Sequence, residues 1–347
     1  MGNNLYWRRD SRRPRFIFCP NFLLIMVLPL KTNVELAPLT TFGVGGRAAF
    51  FIQVNDPAEL AAAVAVAKTR RLPYFLLAGG SNVVFNDRIF RGLVIHFVPK
   101  VSPCRWQGLT LICPANLKLA TLIKIAINHN LAGLEMLSGI PGTVGGAIVG
   151  NAGAYGQCIS DRLTRVQILD LDTDLDTPCP NRWIGKKQCQ FAYRDSIFKK
   201  KKLARRGDGW LILRAEFRLA ESDKKALVKK SREIIKIRSE KYNPDLRCPG
   251  SFFKNVLVKE INQNAVKLIP PEKIIDGKIP AGYLLEAVGA KGRRQGGISV
   301  ADFHGNLLIN DGRGTYREVV ALATKLKKLV KNKFGIILDE EVRYVTN

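Results

Sequence analysis

The chain contains the glycine-rich stretch Ser138-Gly-Ile-Pro-Gly-Thr-Val-Gly-Gly-Ala-Ile-Val-Gly-Asn-Ala-Gly-Ala-Tyr-Gly156, in which seven of 19 residues are glycine. Because glycine lacks a Cβ and tolerates positive φ, such a segment can bring bare backbone N–H groups close to an anion or pass under a flat ring. The interleaved Ile and Val argue against a flexible linker, which is usually polar and rich in Gly and Ser. We therefore expect a ligand cradle here, with a structural turn as the alternative.

The composition is that of a globular and strongly basic protein. Of the 347 residues 46% are hydrophobic, and 55 Lys and Arg against 29 Asp and Glu give a formal net charge of +26. The length suggests two or three domains. The charge fits nucleic acid, a membrane surface or an anionic small substrate. Since the sequence contains no aromatic RNA-binding motif, zinc finger or basic zipper, we expect no nucleic-acid partner. The basic residues cluster in Arg8–Arg15, Lys199–Arg206 and Lys224–Lys241, and we interpret these clusters mainly as solvated charge.

The cysteines and histidines do not form a metal-binding pattern. The seven cysteines contain no CxxC pair, and the three histidines do not group with them. We therefore expect no metal site. Reduced thiols in a cytoplasmic protein fit this usage best. The cysteines are Cys19, Cys104, Cys113, Cys158, Cys179, Cys189 and Cys248.

Residues 1–30 differ from the rest of the chain. Arg8–Arg15 is basic and Phe16–Leu30 is mostly apolar, a pattern similar to a weak signal peptide or membrane anchor. Prolines interrupt the apolar run, and it is too short to span a bilayer. Three interpretations stay open: a disordered tail, a start site assigned too early with Met26 as the true start, and a membrane-associating tail. We favour the first two and expect no stable membrane insertion.

The pattern of apolar residues and caps predicts alternating strands and helices. Asp56-Pro57-Ala58-Glu59 has the capping signature of a helix that runs to Lys68. Thr315 and Glu318 form a capping box for a helix that ends near Gly335. The other predicted helices are Leu119–Asn130, Ser222–Lys241 and Ala281–Val288. The predicted strands are Leu72–Leu77, Gly92–Phe97, Leu109–Cys113, Val166–Leu171, Trp210–Leu219, Asn306–Ile309 and Ile336–Val345.

A second glycine-containing turn follows a predicted strand directly. Gly79-Gly80-Ser81-Asn82 comes after the apolar run Leu72–Leu77, and ligands in α/β sheets bind at such strand ends. It is neither a Gly-x-Gly-x-x-Gly motif nor a Walker A loop, so on its own it is a weak signal. Together with Ser138–Gly156 it suggests one extended ligand, and a dinucleotide such as FAD has the required pyrophosphate and flat ring.

Three further segments place reactive groups among apolar residues: Tyr193-Arg194-Asp195-Ser196-Ile197-Phe198-Lys199, Gly250-Ser251-Phe252-Phe253-Lys254-Asn255 and Leu338-Asp339-Glu340-Glu341-Val342-Arg343. Taken singly, Arg194 and Glu341 fit surface ion pairs, and Ser251 fits a turn hydroxyl. Taken in order with Thr41-Phe-Gly-Val-Gly-Gly46, Gly80-Ser81-Asn82, Ile140–Gly146 and Asn151–Gly156, they form a set of seven motifs. With this set, the chain from about Leu30 onward resembles the UDP-N-acetylenolpyruvoylglucosamine reductase family.

The resemblance implies an α+β protein with a vanillyl-alcohol-oxidase-type FAD-binding module of two lobes, residues 31–99 and 100–220. A C-terminal α/β substrate-binding domain, residues 221–347, follows. FAD is the implied cofactor. Its implied contacts are Gly79, Gly80, Ser81, Asn82, Ile140, Pro141, Gly142, Thr143, Gly145, Gly146, Asn151, Gly153, Ala154, Tyr155 and Gly156.

The resemblance also implies a reaction. NADPH is the co-substrate, and UDP-N-acetylglucosamine enolpyruvate becomes UDP-N-acetylmuramate for peptidoglycan synthesis. Hydride passes from flavin N5 to C3 of the enolpyruvyl group, Ser251 gives a proton to C2, and Arg194 and Glu341 stabilise the enolate. Tyr193, Lys254, Asn255 and Arg294 match substrate contacts. We expect a monomer. A related oxidase on the same module is the alternative, but it has no use for a proton donor at C2.

The chain departs from the family pattern at a few positions. Val256 stands where proline often follows the Ser251 motif, Gln295 replaces an aliphatic residue, and Asp339-Glu340 replaces the usual Glu-Pro. The segment between Phe198 and Ser251 lacks the tyrosine-bearing insertion of one subtype, which places the chain nearer the other. None of these changes removes a reacting group.

Overall fold

The structure, a computed structural model, describes residues 29–98, 104–170, 181–200, 209–240 and 245–346. No helix within these ranges is long and apolar enough to cross a membrane. The expectations for residues 1–28, for the thiols of Cys19 and Cys179, and for most of Lys199–Arg206 lie outside the described residues. So do the ends predicted at Leu171 and Lys241.

The first lobe is a four-stranded sheet covered by one helix. Its elements are β1 (Lys31–Glu35), β2 (Arg47–Val54), α1 (Pro57–Thr69), β3 (Tyr74–Leu77), β4 (Val83–Phe85) and β5 (Phe90–Phe97). The sheet order is β1-β2-β5-β3, and β2, β5 and β3 are parallel. The predicted cap of α1 is confirmed, since Asp56 Oδ1 accepts hydrogen bonds from the N–H groups of Ala58 (2.8 Å) and Glu59 (2.9 Å). The carboxyl ends of β3 and β5 therefore lie at one edge of the sheet.

The second lobe is a five-stranded antiparallel sheet with two helices against it. Its elements are β6 (Arg105–Gln107), β7 (Thr110–Pro114), α2 (Leu119–Asn128), β8 (Leu131–Ala132), α3 (Val144–Val149), β9 (Gly153–Ala154), β10 (Gln157–Cys158), β11 (Leu163–Asp170), β12 (Asn181–Gly185), α4 (Ile197–Lys200), β13 (Trp210–Arg218) and β14 (Ala220–Glu221). The sheet order is β12-β11-β13-β7-β6. Leu122 of α2, Ile148 of α3 and Phe217 of β13 are fully buried in one core. Leu211 and Leu213 pack instead with the core of the first lobe, which joins the two lobes.

The C-terminal part combines short strands with one long helix. Its elements are α5 (Lys224–Ser239), β15 (Val256–Leu257), α6 (Gln263–Lys267), β16 (Lys278–Ile279), α7 (Ala281–Ala287), β17 (Arg294–Gln295), β18 (Ile298–Val300), β19 (Leu308–Asn310), α8 (Tyr316–Phe334) and β20 (Arg343–Val345). The predicted capping box of α8 is confirmed: Thr315 Oγ1 accepts from Glu318 N (3.3 Å), and Glu318 Oε2 accepts from Thr315 N (2.9 Å). Gly335, at φ +69°, ends the helix. The boundary predicted at residue 221 stays a prediction, but Leu227 of α5 is buried in the core of the second lobe.

The C-terminal strand is shorter than predicted. We expected a strand over Ile336–Val345, but the continuous strand is β20, which pairs in parallel with β4 of the first lobe. Before it, Glu340 forms an isolated antiparallel bridge with Phe253. Ile336 and Leu338 are buried in the C-terminal core without strand pairing. Ile337 between them is exposed, so the buried–exposed alternation that predicted a strand comes from an irregular segment that packs one side against the core. The pairing of β20 with β4 ties the C-terminal domain to the first lobe.

Candidate active site

The two glycine segments meet between the lobes. The turn after β3 and the start of the glycine-rich stretch approach so closely that a Cβ added to Gly79 would lie 3.1 Å from Gly142 Cα. A Cβ added to Gly142, which has φ +106°, would lie 2.9 Å from Ser81 Oγ. Glycine suits both positions, because a Cβ at Gly79 would press on the Gly142 backbone and a φ of +106° at Gly142 disfavours any side chain. The predicted meeting of these segments is therefore present in the structure.

A cavity of about 390 Å³ opens beside this contact. The first lobe contributes Ala78, Gly79, His96 and Phe97, and the second contributes Lys118, Ala120 and residues 140–143. Burial lowers the pKa of His96, and a hydrogen bond with the Ala78 backbone partly opposes this. The buried His96 Nδ1 has no hydrogen-bond partner among the described residues. The cavity thus offers glycine backbone, apolar surface and an unpartnered ring nitrogen, which fits a flat ligand that carries polar groups.

The glycine-rich stretch is fixed to the second lobe by its backbone. Gly142 O accepts from Leu119 N at 3.0 Å, and Gly145 N donates to Ala115 O at 2.7 Å. Thr143 Oγ1 caps α3 by accepting from Gly146 N at 3.2 Å. Residues 153–158 form the small β9–β10 hairpin, where Tyr155 is 41% exposed. The stretch is therefore a rigid wall, with Tyr155 accessible at its end.

The end of the same stretch holds the turn that carries Arg194. Asn151, predicted as a cofactor contact, donates from Nδ2 to Ala192 O at 2.9 Å, and its buried Oδ1 has no partner in the described part of the chain. The Ala192 and Asp195 backbones exchange two hydrogen bonds of 3.0 and 3.2 Å. Between them Arg194 takes a left-handed conformation, φ +54°, which is uncommon for a residue with a side chain.

Ser251 lies on a backbone segment fixed from two sides. It bridges to Leu307, and Phe252 N donates to Asn306 O at 3.0 Å. The buried side chain of Asn306 bonds both the N–H and the carbonyl of Phe253, each at 2.8 Å. On the other side Phe252 O accepts from Glu341 N at 2.8 Å. Ser251 and Glu341 therefore stand on adjoining segments.

Arg194 and Glu341 form an ion pair between the second lobe and the C-terminal domain. Arg194 Nε lies 3.3 Å from Glu341 Oε1, with side chains 24% and 17% exposed. The contact is not aligned as a hydrogen bond, so Nε has no hydrogen-bond acceptor in the described ranges. Burial raises the pKa of Glu341, although Arg194, Lys199 and Lys254 oppose the shift. A buried carboxylate next to an incompletely bonded guanidinium is suited to charge and proton exchange with an anionic ligand.

Three of the four predicted substrate contacts lie around this ion pair. Burial raises the pKa of Tyr193, opposed by Arg194 and by a hydrogen bond from the Asn255 backbone. Lys254 N donates to Asp339 O at 2.9 Å, beside the Glu341 segment. The Asn255 side chain accepts from Ala281 N at 3.1 Å. The sequence prediction thus selected residues that are neighbours in space.

Arg294 is placed differently. It is exposed on β17, donates from Nε to Gly296 O at 2.7 Å, and forms a second, shorter contact with Asp311. None of these partners belongs to the group around Glu341, so the role of Arg294 as a substrate contact stays a prediction.

Val256, which stands where the family often has proline, begins β15 and pairs with Ile279.

Two cations near the site were missed by the sequence reasoning. Lys199 donates to Arg194 O at 3.2 Å, and Lys278 Nζ lies 5.2 Å from the centre of the Tyr193 ring. Lys199 closes a motif that the sequence did single out, five residues after Arg194. Lys278 carries no local signal, because it reaches the site through the pairing of β16 with β15.

Two family models match the chain. One, described as FAD binding domain, covers residues 48–175, and the other, described as UDP-N-acetylenolpyruvoylglucosamine reductase, C-terminal domain, covers residues 242–345. The UDP-N-acetylenolpyruvoylglucosamine reductase of Solibacter usitatus is 40% identical over 318 residues, which is 92% of this chain and 97% of the relative. The chain belongs to this reductase family.

Other members agree with this assignment. The reductase of Caldanaerobacter subterraneus is 32% identical over 319 residues, covering 91% of this chain and 93% of its own length. The crystal structure of UDP-N-acetylenolpyruvylglucosamine reductase from Thermus caldophilus matches with a TM-score of 0.69 and 25% identity, over 92% of this chain and 100% of that one. The predicted α+β fold with its FAD-binding module is confirmed, and the protein is an FAD-dependent oxidoreductase.

Proposed function

We propose that the protein reduces UDP-N-acetylglucosamine enolpyruvate to UDP-N-acetylmuramate with electrons from NADPH, a step of peptidoglycan precursor synthesis. The observation that supports this most is the grouping of Arg194, Ser251 and Glu341. Arg194 comes from the second lobe and lies 3.3 Å from Glu341, and Glu341 is hydrogen-bonded to the residue after Ser251. A cation, a hydroxyl and a buried carboxyl group are the groups that protonation of an enolate requires.

The residues of the glycine segments would hold the cofactor. Gly79 and residues 140–143 line the cleft, Gly80–Asn82 continue the same turn, and backbone N–H groups in such turns bind pyrophosphate. Bound FAD would supply the redox chemistry, hydride transfer to C3 of the enolpyruvyl group. Beyond these walls, Tyr155 and the rest of the hairpin stay predicted contacts.

The proposed chemistry divides between three side chains. The Arg194 guanidinium pairs with the substrate carboxylate and stabilises the negative charge that develops at C2. Ser251 gives the proton to C2. Glu341, whose pKa is raised by burial, shares a proton with the enolate oxygen. Lys254, Asn255 and Tyr193 surround the position where the substrate would lie.

We further propose a cytoplasmic monomer whose partners are the nucleotide sugar and NADPH rather than nucleic acid. Cys104, Cys113, Cys158, Cys189 and Cys248 are free thiols, as is usual in a reducing compartment. The substrates are anions, and a basic protein attracts them.

Anaerobic absorbance spectroscopy tests the proposed reaction. We expect a yellow protein whose band near about 450 nm, a property of the flavin, bleaches with NADPH and returns on addition of UDP-N-acetylglucosamine enolpyruvate. UDP-N-acetylglucosamine, which lacks the enolpyruvyl group, is the control and leaves the band bleached. A colourless protein that FAD does not reconstitute, or a band that the enolpyruvyl substrate does not restore, contradicts the proposal.

The pH dependence of substrate reduction should follow Glu341. Because burial raises its pKa, a proton held by Glu341 is lost as pH rises through that raised value, and the rate falls on the alkaline side. Glu341→Gln does not titrate. We expect this alkaline decline to disappear and the rate to fall roughly 10²- to 10⁴-fold, as for loss of an acid–base group. Single-turnover rates measured across pH check both.

Glu340→Gln is the matched control for this experiment. The Glu340 carboxylate pairs with Lys327 at 3.0 Å, away from Arg194, so the alkaline decline should remain. A Glu341→Gln enzyme with an unchanged alkaline decline would exclude Glu341 as the titrating group.

A further inference from the structure

Lys199 is a partly buried cation that the proposed chemistry does not use. It lies in the single-turn helix α4, which two neighbouring residues anchor to the rest of the second lobe. Ser196, fully buried, donates from Oγ to Val149 O at 2.7 Å, and Phe198 is buried in the core. These anchors leave the Lys199 side chain directed back at the Arg194 turn, where Nζ donates to Arg194 O at 3.2 Å.

The hydrogen bond from Lys199 acts at a strained position. Arg194 has φ +54°, and a non-glycine residue keeps such a conformation only when surrounding contacts enforce it. Asn151 and the Ala192–Asp195 hydrogen bonds hold the residues on either side. Lys199 binds the carbonyl of Arg194 itself. It therefore acts directly on the backbone from which the Arg194 side chain extends.

The charge of Lys199 acts on the same group. Glu341 is faced by three cations, Arg194, Lys199 and Lys254, and by the Tyr193 hydroxyl. Lys199 in turn is faced by Lys254, Glu341, Asp195 and Arg194. Burial lowers the pKa of Lys199, with a further lowering from Lys254, while Glu341 and Asp195 oppose it. A cation beside a buried carboxyl group favours its ionised form.

We propose that Lys199 is a positioning residue of the reaction, which holds the Arg194 carbonyl by a hydrogen bond and keeps the Glu341 proton exchangeable by its charge. The role rests on the proposed function of Arg194 and Glu341. The Lys199 side chain thus has two effects, the hydrogen bond to the Arg194 carbonyl and the positive charge near Glu341. Different substitutions remove one or both of them.

Three variants test the two effects. Lys199→Met removes both the donor and the charge, Lys199→Gln keeps an N–H donor without charge, and Lys199→Arg keeps both. We expect the alkaline decline in substrate reduction to move to higher pH in the Met and Gln variants, because Glu341 loses a neighbouring cation. Lys199→Met should in addition lose roughly 10- to 100-fold in rate at every pH, as for displacement of a reacting group by up to about 1 Å. Lys199→Arg should restore the wild-type pH profile.

A second measurement is independent of activity. ¹³C NMR of protein labelled at the glutamate carboxyl carbon, with the Glu341 signal assigned by its loss in Glu341→Gln, follows the Glu341 titration directly. In Lys199→Met and Lys199→Gln this signal should titrate at higher pH than in the wild type. Lys200→Met is the matched control, since Lys200 is 52% exposed and pairs with Asp195 at 3.4 Å. It should leave both the titration and the rate unchanged.

The outcomes separate the two levels of the proposal. If the wild type does not reduce the enolpyruvyl substrate, the proposed function fails, whatever Lys199 does. If the wild type is active and the Met and Gln variants keep its pH profile and its Glu341 titration, the role of Lys199 is overturned. A shift in Lys200→Met equal to that in Lys199→Met also overturns it, because the effect would then be one of general charge.

Discussion

Ser251→Ala is expected to slow reoxidation of the enzyme by the enolpyruvyl substrate roughly 10²- to 10⁴-fold, the usual contribution of a positioned proton donor. Reduction by NADPH should stay near the wild-type rate, because that half of the reaction needs no proton at C2. Stopped-flow absorbance measures the two halves separately. The backbone around Ser251 is held by Asn306 and by Glu341 N, neither of which the substitution touches, so the loss reports on the hydroxyl.

Ser222→Ala is the control for this variant. Ser222 is exposed two residues before α5, and its substitution should change neither half-reaction. Equal slowing of both halves in Ser251→Ala would show that the hydroxyl supports the site as a whole and does not donate the proton.

Gly79→Val should abolish retention of FAD. A Cβ at this position lies 3.1 Å from Gly142 Cα and 3.8 Å from Thr143 N. The two methyl groups of valine would therefore enter the space between the two glycine segments and separate the lobes where the cofactor has to pass. We expect a colourless protein after purification. If the strain at residue 79 reaches about 3 kcal/mol, the Kd for FAD rises more than roughly 100-fold. Flavin titration by fluorescence quenching measures this Kd.

Gly185→Val is the matched control. It makes the same change of side chain at a glycine whose added Cβ meets open space. Gly185 ends β12 in an extended conformation, and nothing lies within 4 Å of an added Cβ. This variant should be as yellow as the wild type. Circular dichroism distinguishes loss of cofactor from loss of folding: a folded Gly79→Val protein with undiminished FAD affinity would contradict the proposed cleft.

The fold could be predicted from the sequence where local signals and tertiary structure agree. Asp56 and Thr315 cap helices because their side chains satisfy nearby N–H groups, whatever surrounds them. The prediction failed where a partner elsewhere in the chain determines the structure. Helix α3 forms in a glycine-rich segment of low helix propensity because the Leu117 and Ala115 carbonyls fix its first turn. The strand expected at residues 336–342 is reduced to an isolated bridge between Glu340 and Phe253.

The candidate site shows the same division. Arg194, Ser251 and Glu341 were recognised from motifs, and the structure places them together. Lys278 was missed because only the β15–β16 pairing carries it to Tyr193. Lys199 was missed because its hydrogen bond is made to the left-handed turn at Arg194, and periodicity gives no sign of a positive φ in a residue other than glycine.

The loop after β3 contacts both the cleft between the lobes and the segment that carries Glu341. At one end Gly79 borders the cofactor cleft. At the other, Asn82 donates from Nδ2 to Glu341 O at 3.2 Å and accepts from Arg343 N at 3.0 Å. Only two residues separate these contacts, so their spacing is set by covalent geometry and not by the angle between domains. The segment that carries the Glu341 carboxyl group and the edge of the cleft are thus held by one short loop.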